Sequence, residues 1–142
     1  MIGRKLAKTP TAQNAAPLNR LLVLEDERPF GELLVQAACK RSIEARLATS
    51  CSEFLEIYAV FNPNMLVLDL FLRSEDCYPV LAYLSAQRCT APLFFVSGYN
   101  RQWLNAVSEF AQGCGLLVAD AIEKQHCSMD VLLHKLDKYR LK

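Results

Sequence analysis

Glycine is scarce in this chain, and its scarcity excludes a backbone cradle for phosphate. The five glycines in 142 residues form neither G-x-G-x-x-G nor G-x-x-x-x-G-K-[ST], so dinucleotide or ATP binding by those routes is not expected. Charge of one sign is lacking as well. Lys+Arg number 16 and Asp+Glu 15, a balance that gives neither the field of a nucleic-acid binder nor the self-repulsion of a disordered chain. No apolar run approaches the roughly 18 residues that a membrane helix requires. The six cysteines, Cys39, Cys51, Cys77, Cys89, Cys114 and Cys127, never form a C-x-x-C pair, which argues against zinc and dithiol redox chemistry. They read as buried, reduced thiols. Ser97 has no G-x-S-x-G around it, so a hydrolase elbow has no support.

What is present is an alternation. From Arg20 onward short apolar runs exchange with helix-period segments, the pattern of βαβ units and a parallel sheet. Five strands are predicted at Leu21–Leu24, Ala45–Ala48, Leu66–Leu70, Leu93–Val96 and Leu116–Ile122. The third and fourth are continuously apolar, as strands covered on both faces should be. Helices are predicted between them. The first has Pro29 in its opening turn and Phe30, Leu33, Leu34, Ala37 and Ala38 on one face. The second has Ser50 or Ser52 as its cap, buries Phe54, Leu55 and Tyr58, and stops at Asn62-Pro63. The third opens around Pro79 and carries Val80, Leu81 and Leu84. The fourth carries Leu104, Val107 and Phe110 and ends at Gly113 or Gly115. The fifth runs from Ser128 through Val131, Leu132, Leu136 and Tyr139.

Residues 1–18 are basic and polar and read as a flexible arm; residues 19–142 make one domain. The arm lacks the apolar stretch, about 7–15 residues long, of a signal peptide, and the expected location is cytoplasmic. Lys135, Lys138, Arg140 and Lys142 read as a solvated helix face with cations near its C-terminus, with no nucleic acid implied. His126 and His134 read as surface histidines, and Trp103 as a core or rim aromatic or a contact on an output face.

In an open α/β sheet, ligands sit beyond the carboxyl ends of the strands. Those ends carry Glu25-Asp26-Glu27, Asp69, Ser97-Gly98 and, after the fifth strand, Lys124. Converging carboxylates repel one another unless a cation neutralises them. Magnesium suits an all-oxygen set and is commonly held by one or two carboxylates plus a phosphate, which fits Asp26 and Asp69 with Glu25 in an outer position. An Asp carboxylate can attack phosphorus. An ammonium such as that of Lys124 spreads the charge of the equatorial oxygens, and Ser97 can donate to the phosphoryl group.

In this order the motifs LLVLEDE, MLVLDLFL, PLFFVSG and GLLVADAIEK resemble those of the receiver domain of two-component response regulators, over Asn19 to Lys138. The resemblance implies a flavodoxin-like (βα)5 fold, a doubly wound parallel sheet in the order 2-1-3-4-5. It implies Asp69 as the phosphoacceptor, Mg2+ held by Glu25, Asp26, Asp69 and the backbone carbonyl of Phe71, and Ser97 and Lys124 as phosphoryl-binding switch residues. A histidine kinase is the implied donor, and an output domain or a homodimer through the face of the fourth and fifth helices is the implied partner. Such a domain is not an enzyme beyond its own phosphorylation and dephosphorylation. The Ser97-Gly98-Tyr99 stretch and the Gly115-to-Val118 spacing are similar to receivers that precede EAL-type cyclic-di-GMP phosphodiesterase domains.

Four departures stand against the family pattern. Gln125 replaces the usual proline, Ala121 stands at the switch aromatic, Cys77 replaces a common glycine and Arg73 a usual proline. Aligned as in the commonest receivers, Ala119 takes the lysine position; the longer stretch of the phosphodiesterase-linked type brings Lys124 there instead. Two alternatives stay open. One is a pseudo-receiver that signals by docking without phosphorylation. The other is a phosphatase of the haloacid-dehalogenase type, which calls for a D-x-D that Asp69-Leu70-Phe71 does not supply.

Overall fold

The computed structural model describes residues 18–141 apart from positions 74 and 99, so the arm predicted over residues 1–18 lies, except for Leu18, outside the described residues. Five strands alternate with five helices: β1 (Arg20–Leu24), α1 (Arg28–Cys39), β2 (Glu44–Ala48), α2 (Cys51–Phe61), β3 (Met65–Asp69), α3 (Tyr78–Ala86), β4 (Leu93–Ser97), α4 (Arg101–Gly113), β5 (Val118–Glu123) and α5 (Met129–Asp137). All the strand pairs are parallel, and the order across the sheet is β2-β1-β3-β4-β5. This is the flavodoxin-like arrangement.

Alternating strand residues feed two cores, because successive side chains leave a strand on opposite faces. Leu22, Leu24, Leu66, Leu68 and Phe95 pack with Phe54 of α2, Leu84 of α3 and Leu104 of α4. Leu21, Val23, Val67, Phe94 and Val96 pack with Leu34 of α1 and Leu136 of α5. Both faces of β3 and β4 are thus covered, which explains their unbroken apolar runs. Phe54, Phe94 and Phe95 are fully buried, each contributing about 1.5–3 kcal/mol of burial.

The helix boundaries follow the punctuation. Ser50, rather than Ser52, caps α2 by accepting from the Glu53 N–H at 3.2 Å, and Asn62 ends it in a left-handed conformation with φ 54°. Asn100 and Ser128 cap α4 and α5 in the same way. At the end of α4 the Leu116 N–H returns to the Ala111 carbonyl and that of Gly115 to Gln112. Gly115 has φ 86°, as this reversal requires.

That cap moves the predicted fifth strand. Leu116 belongs to the helix ending and tucks its side chain into the core, so β5 starts at Val118 and runs on to Glu123. Leu70 likewise falls just beyond β3. Four apolar residues expected inside are exposed, Leu33 over more than half its surface and Phe110, Val131 and Tyr139 over less. Leu33 stands more than a quarter of a turn from the Gly31, Leu34, Ala38 stripe that α1 buries, and Leu133 takes the buried position expected of Val131. All six cysteines are free, but only Cys51, Cys77 and Cys89 are buried, and Cys39 is exposed.

The two ends of the described segment are held together at the N-terminal edge of the sheet. The Asn19 side chain accepts from the Leu141 N–H at 2.7 Å and donates to its carbonyl at 3.4 Å, while Asn64 donates to Asn19 at 3.2 Å. No helix among the described residues is long and apolar enough to cross a membrane.

Candidate functional site

The carboxyl ends of β1, β3, β4 and β5 meet above the middle of the sheet, and their registers bring the predicted residues together. β3 ends in Asp69, and β1 leads directly into Glu25 and Asp26. Carboxylate oxygens of these three residues lie within 4.8 Å of one another. Asp69 and Glu25 are almost fully buried, at 4% and 2% exposure. Asp69 Oδ1 accepts from the Phe71 N–H at 2.9 Å, and Asp26 Oδ2 from the Arg73 N–H at 2.8 Å. These two bonds, with an isolated bridge between Phe71 and Asp76, fix the loop after β3 against the loop after β1.

Lys124 reaches this cluster because β5 contains a bulge. Leu93 pairs with Val118 but Phe94 pairs with Asp120, so Ala119 is an extra residue, and from there the register runs on to Ser97 opposite Glu123. A bulge absorbs one residue while the strand continues. The result is an ammonium at the acidic centre: Lys124 Nζ lies 2.6 Å from Glu27, 2.9 Å from Glu25 and 3.4 Å from Asp69. It also sits 4.8 Å above the Phe30 ring, a cation–π contact. Ala119, the other candidate for the lysine position, faces the core shared with α1 and α5. Where a proline commonly follows the lysine, this chain makes a short 3-10 turn over Lys124–His126.

A cavity of about 160 Å³ opens over the cluster, lined by Asp26, Asp69, Phe71, Gly98 and Lys124, with Glu27 and Arg73 at its margin. Ser97 is fully buried at the end of β4, immediately before Gly98. A cavity of about 500 Å³ at the opposite edge is lined by residues that precede β3 and β4, such as Asn64 and Pro92. It has no converging acids and lies at the wrong ends of the strands for ligand binding in this class of sheet.

Electrostatically the cluster is under-neutralised. Burial, reinforced by the neighbouring Asp69 carboxylate, pushes Glu25 up to about 7, although Lys124 and the Glu27 N–H pull the other way. Burial also works against the charge of Lys124, but Glu27, Glu25 and Asp69 outweigh it and hold its pKa above the ordinary lysine value. Glu25 therefore keeps a proton in the folded chain up to about pH 7 and loses it near 4.5 when unfolded. The folded state binds more protons across that interval, so this group's contribution to stability is full below about pH 4.5 and fades as pH rises through 7. The expected loss is about 2–3 kcal/mol, because a tenfold difference in proton affinity between the folded and unfolded chain is worth about 1.4 kcal/mol. Urea denaturation of the metal-free chain at pH 5 and pH 8 checks this. Glu25→Gln should flatten the difference; an equally steep fall in the variant would refute it.

The arrangement fits Mg2+. Octahedral coordination at about 2.1 Å places cis ligands about 3 Å apart and trans ligands about 4.2 Å apart, close to the spacing of the three carboxylates. The donor set is all oxygen, and the surplus negative charge supplies the reason to bind a cation. Thiol chemistry does not compete: burial pushes both Cys51 and Cys77 up to about 12.

No protein-family model matches the chain, and no curated protein does either. Solved structures do. The signal receiver domain of a putative Luxo repressor protein from Vibrio parahaemolyticus superposes with a TM-score of 0.73 at 15% identity, covering 87% of this chain and 90% of that one. The fold is that of a response-regulator receiver domain. The non-phosphorylated HemR receiver domain from Leptospira biflexa gives 0.72 at 21% identity, covering 87% and 96%. The response regulator protein TrrA from Thermotoga maritima, solved in complex with Mg2+ and BeF, gives 0.70 at 20% identity, covering 87% and 100%.

Glu27 was given no role by the sequence, yet it makes the shortest contact to Lys124. The run Glu25-Asp26-Glu27 at a strand end was the available signal. His126 and His134 are exposed, and Trp103 is half-buried against the core of α2, α3 and α4. Of the basic residues at the end of the chain, Lys135 pairs with Asp120 and Arg140 with Asp137, which leaves little of a basic face.

Proposed function

We propose that this chain is a phosphoacceptor receiver in a two-component pathway, taking a phosphoryl group on Asp69 from a histidine kinase or a small phosphodonor. The observation that carries this reading is Lys124 Nζ within 3.4 Å of an almost fully buried Asp69 that shares an oxygen cluster with Glu25 and Asp26. In the proposed step an Asp69 carboxylate oxygen forms a bond to phosphorus as the bond from phosphorus to the donor breaks, and the donor leaves with that electron pair. Asp26, Asp69, Glu25 and the Phe71 carbonyl would hold Mg2+, which when bound supplies positive charge for the phosphoryl oxygens. Lys124 shares that charge, the Ser97 hydroxyl donates to a phosphoryl oxygen, and the loop bonds from Phe71 and Arg73 keep the acids aligned. The product is an acyl phosphate on the protein, and no turnover of other substrates is proposed.

The proposed output is a change in the surface of α4, β5 and α5, read by an attached domain or a second copy in the cytoplasm. The narrower likeness to receivers ahead of EAL-type cyclic-di-GMP phosphodiesterase domains rests on the Ser97-Gly98-Tyr99 stretch and the Gly115-to-Val118 spacing. Incubation with Mg2+ and an acyl phosphate, followed by mass-spectrometric mapping, is the direct test. A hydroxylamine-labile phosphoryl group on Asp69 that chelator prevents is expected. Label on another residue, or none from either an acyl phosphate or a histidine kinase, would overturn the proposal and leave the docking module in its place.

A further inference from the structure

Ala121 of β5 packs against the core that also holds Leu104 and Val107 of α4, and a polar contact joins the same two elements at the surface. Arg101, the first residue of α4, donates from Nη1 to the Ala121 carbonyl at 2.7 Å, and its Nε lies 3.4 Å from Glu123 Oε1. We infer that this two-pronged contact is a latch holding the first turn of α4 against β5 in the resting chain, and that phosphorylation of Asp69 releases it. The inference rests on the function proposed above and assigns a new residue to it.

Its placement supports that role. β5 is the outermost strand, so among the described residues its outer backbone groups find no strand partner, and such groups need one. The Ala121 N–H is met by the Asp120 side chain at 2.8 Å, and the carbonyl by Arg101. Glu123 is firmly seated, with a side chain only 17% exposed and its second oxygen bonded to Gln125 at 3.2 Å. It pairs in register with Ser97 and directly precedes Lys124. Arg101 follows Ser97 by four residues, a tether too short to let one move freely of the other. Both ends of the latch are therefore attached to the two groups expected to grip the phosphoryl oxygens.

Its strength also suits a switch. The Arg101 side chain is 48% exposed, so the contact should bias a two-state equilibrium by about tenfold, enough to hold α4 and little enough to be released. Lysine cannot reproduce it, having no planar fork to serve a carbonyl and a carboxylate together.

Trp103 is the chain's one tryptophan and sits in the same first turn, so its emission reports on how that turn packs. The full chain would be titrated with beryllofluoride in Mg2+, alongside Arg101→Ala, Arg101→Lys and Glu123→Gln, with acyl-phosphate labelling of Asp69 measured in each. Arg101→Ala should label to the parental extent while its ligand-free emission already lies near the parent's activated value. Backbone amides of residues 101–104 should exchange faster in that variant. Arg101→Lys and Glu123→Gln should fall between, which keeps the test valid if the alanine variant folds poorly. Normal labelling together with parental resting emission and a full beryllofluoride response in Arg101→Ala would overturn the latch alone. A parent chain that takes no label would overturn the phosphorylation reading, and the latch with it.

Discussion

Asp69→Asn is expected to lose acyl-phosphate label altogether and, in metal-free buffer at pH 8, to be more stable than the parent by about 1–2 kcal/mol. The first effect removes the nucleophile: an amide does not displace a phosphoryl donor, and the remaining carboxylates lie on another strand end. The second follows from crowding. Glu25, Asp26 and Asp69 have oxygens within 4.8 Å of one another, while the Lys124 ammonium meets only Glu25 and Asp69 of these and is shared with Glu27. Two like charges about 4 Å apart repel by about 4 kcal/mol at an effective dielectric constant of 20; the lost attraction to Lys124 offsets part of that. Asparagine keeps the shape and can still accept from the Phe71 N–H. Sites that store repulsion for function commonly gain stability when neutralised. Urea denaturation with and without Mg2+ measures it, and a destabilised variant would show that Lys124 already balances the cluster.

Lys124→Met should move stability in the opposite direction, by about 2–3 kcal/mol in metal-free buffer at pH 8, since removing one partner of a buried pair leaves the other uncompensated. Methionine preserves much of the apolar stem and its contact with Phe30, so the loss isolates the charge. The cost should shrink at pH 5, where Glu25 already holds a proton. Saturating Mg2+ should recover part of it by mass action on the folded state. If the variant and the parent denature together at pH 8, the three distances from Lys124 Nζ carry no energetic weight.

Much of this site could be read in the sequence because strand ends are legible. The continuous apolar runs of β3 and β4 announce burial on both faces, so the first polar residue after each, Asp69 and Ser97, marks where the sheet opens. Lys124 was harder. Its position depends on the residues between the α4 cap and the strand end, and the bulge at Ala119 changes that number without any glycine or proline to signal it. The start of β5 was misplaced for a related reason: Leu116 is as apolar as a strand residue, but its N–H is committed to the end of α4. Leu33 and Val131 match the helical period well enough to look internal, but the buried stripes run through Gly31, Leu34 and Ala38 in α1 and through Leu132, Leu133 and Leu136 in α5. The partners of Glu27 and Arg101 had no local signal, since one is 97 residues away and the other is a backbone carbonyl.

The clamp formed by Asn19, Asn64 and Leu141 gives the molecule a polarity. It joins the two ends of the described chain at the pole opposite Asp69, one strand length away, about 17 Å for five residues. Cargo attached at Asn19 or Leu141 starts below the sheet, with the helices between it and Asp69. Because Asn19 and Leu141 already touch, a few added residues could join them in a chain trimmed to 19–141 with little loop-closure entropy. New ends could then be opened beside α4, bringing the cargo to the face proposed to respond to phosphorylation.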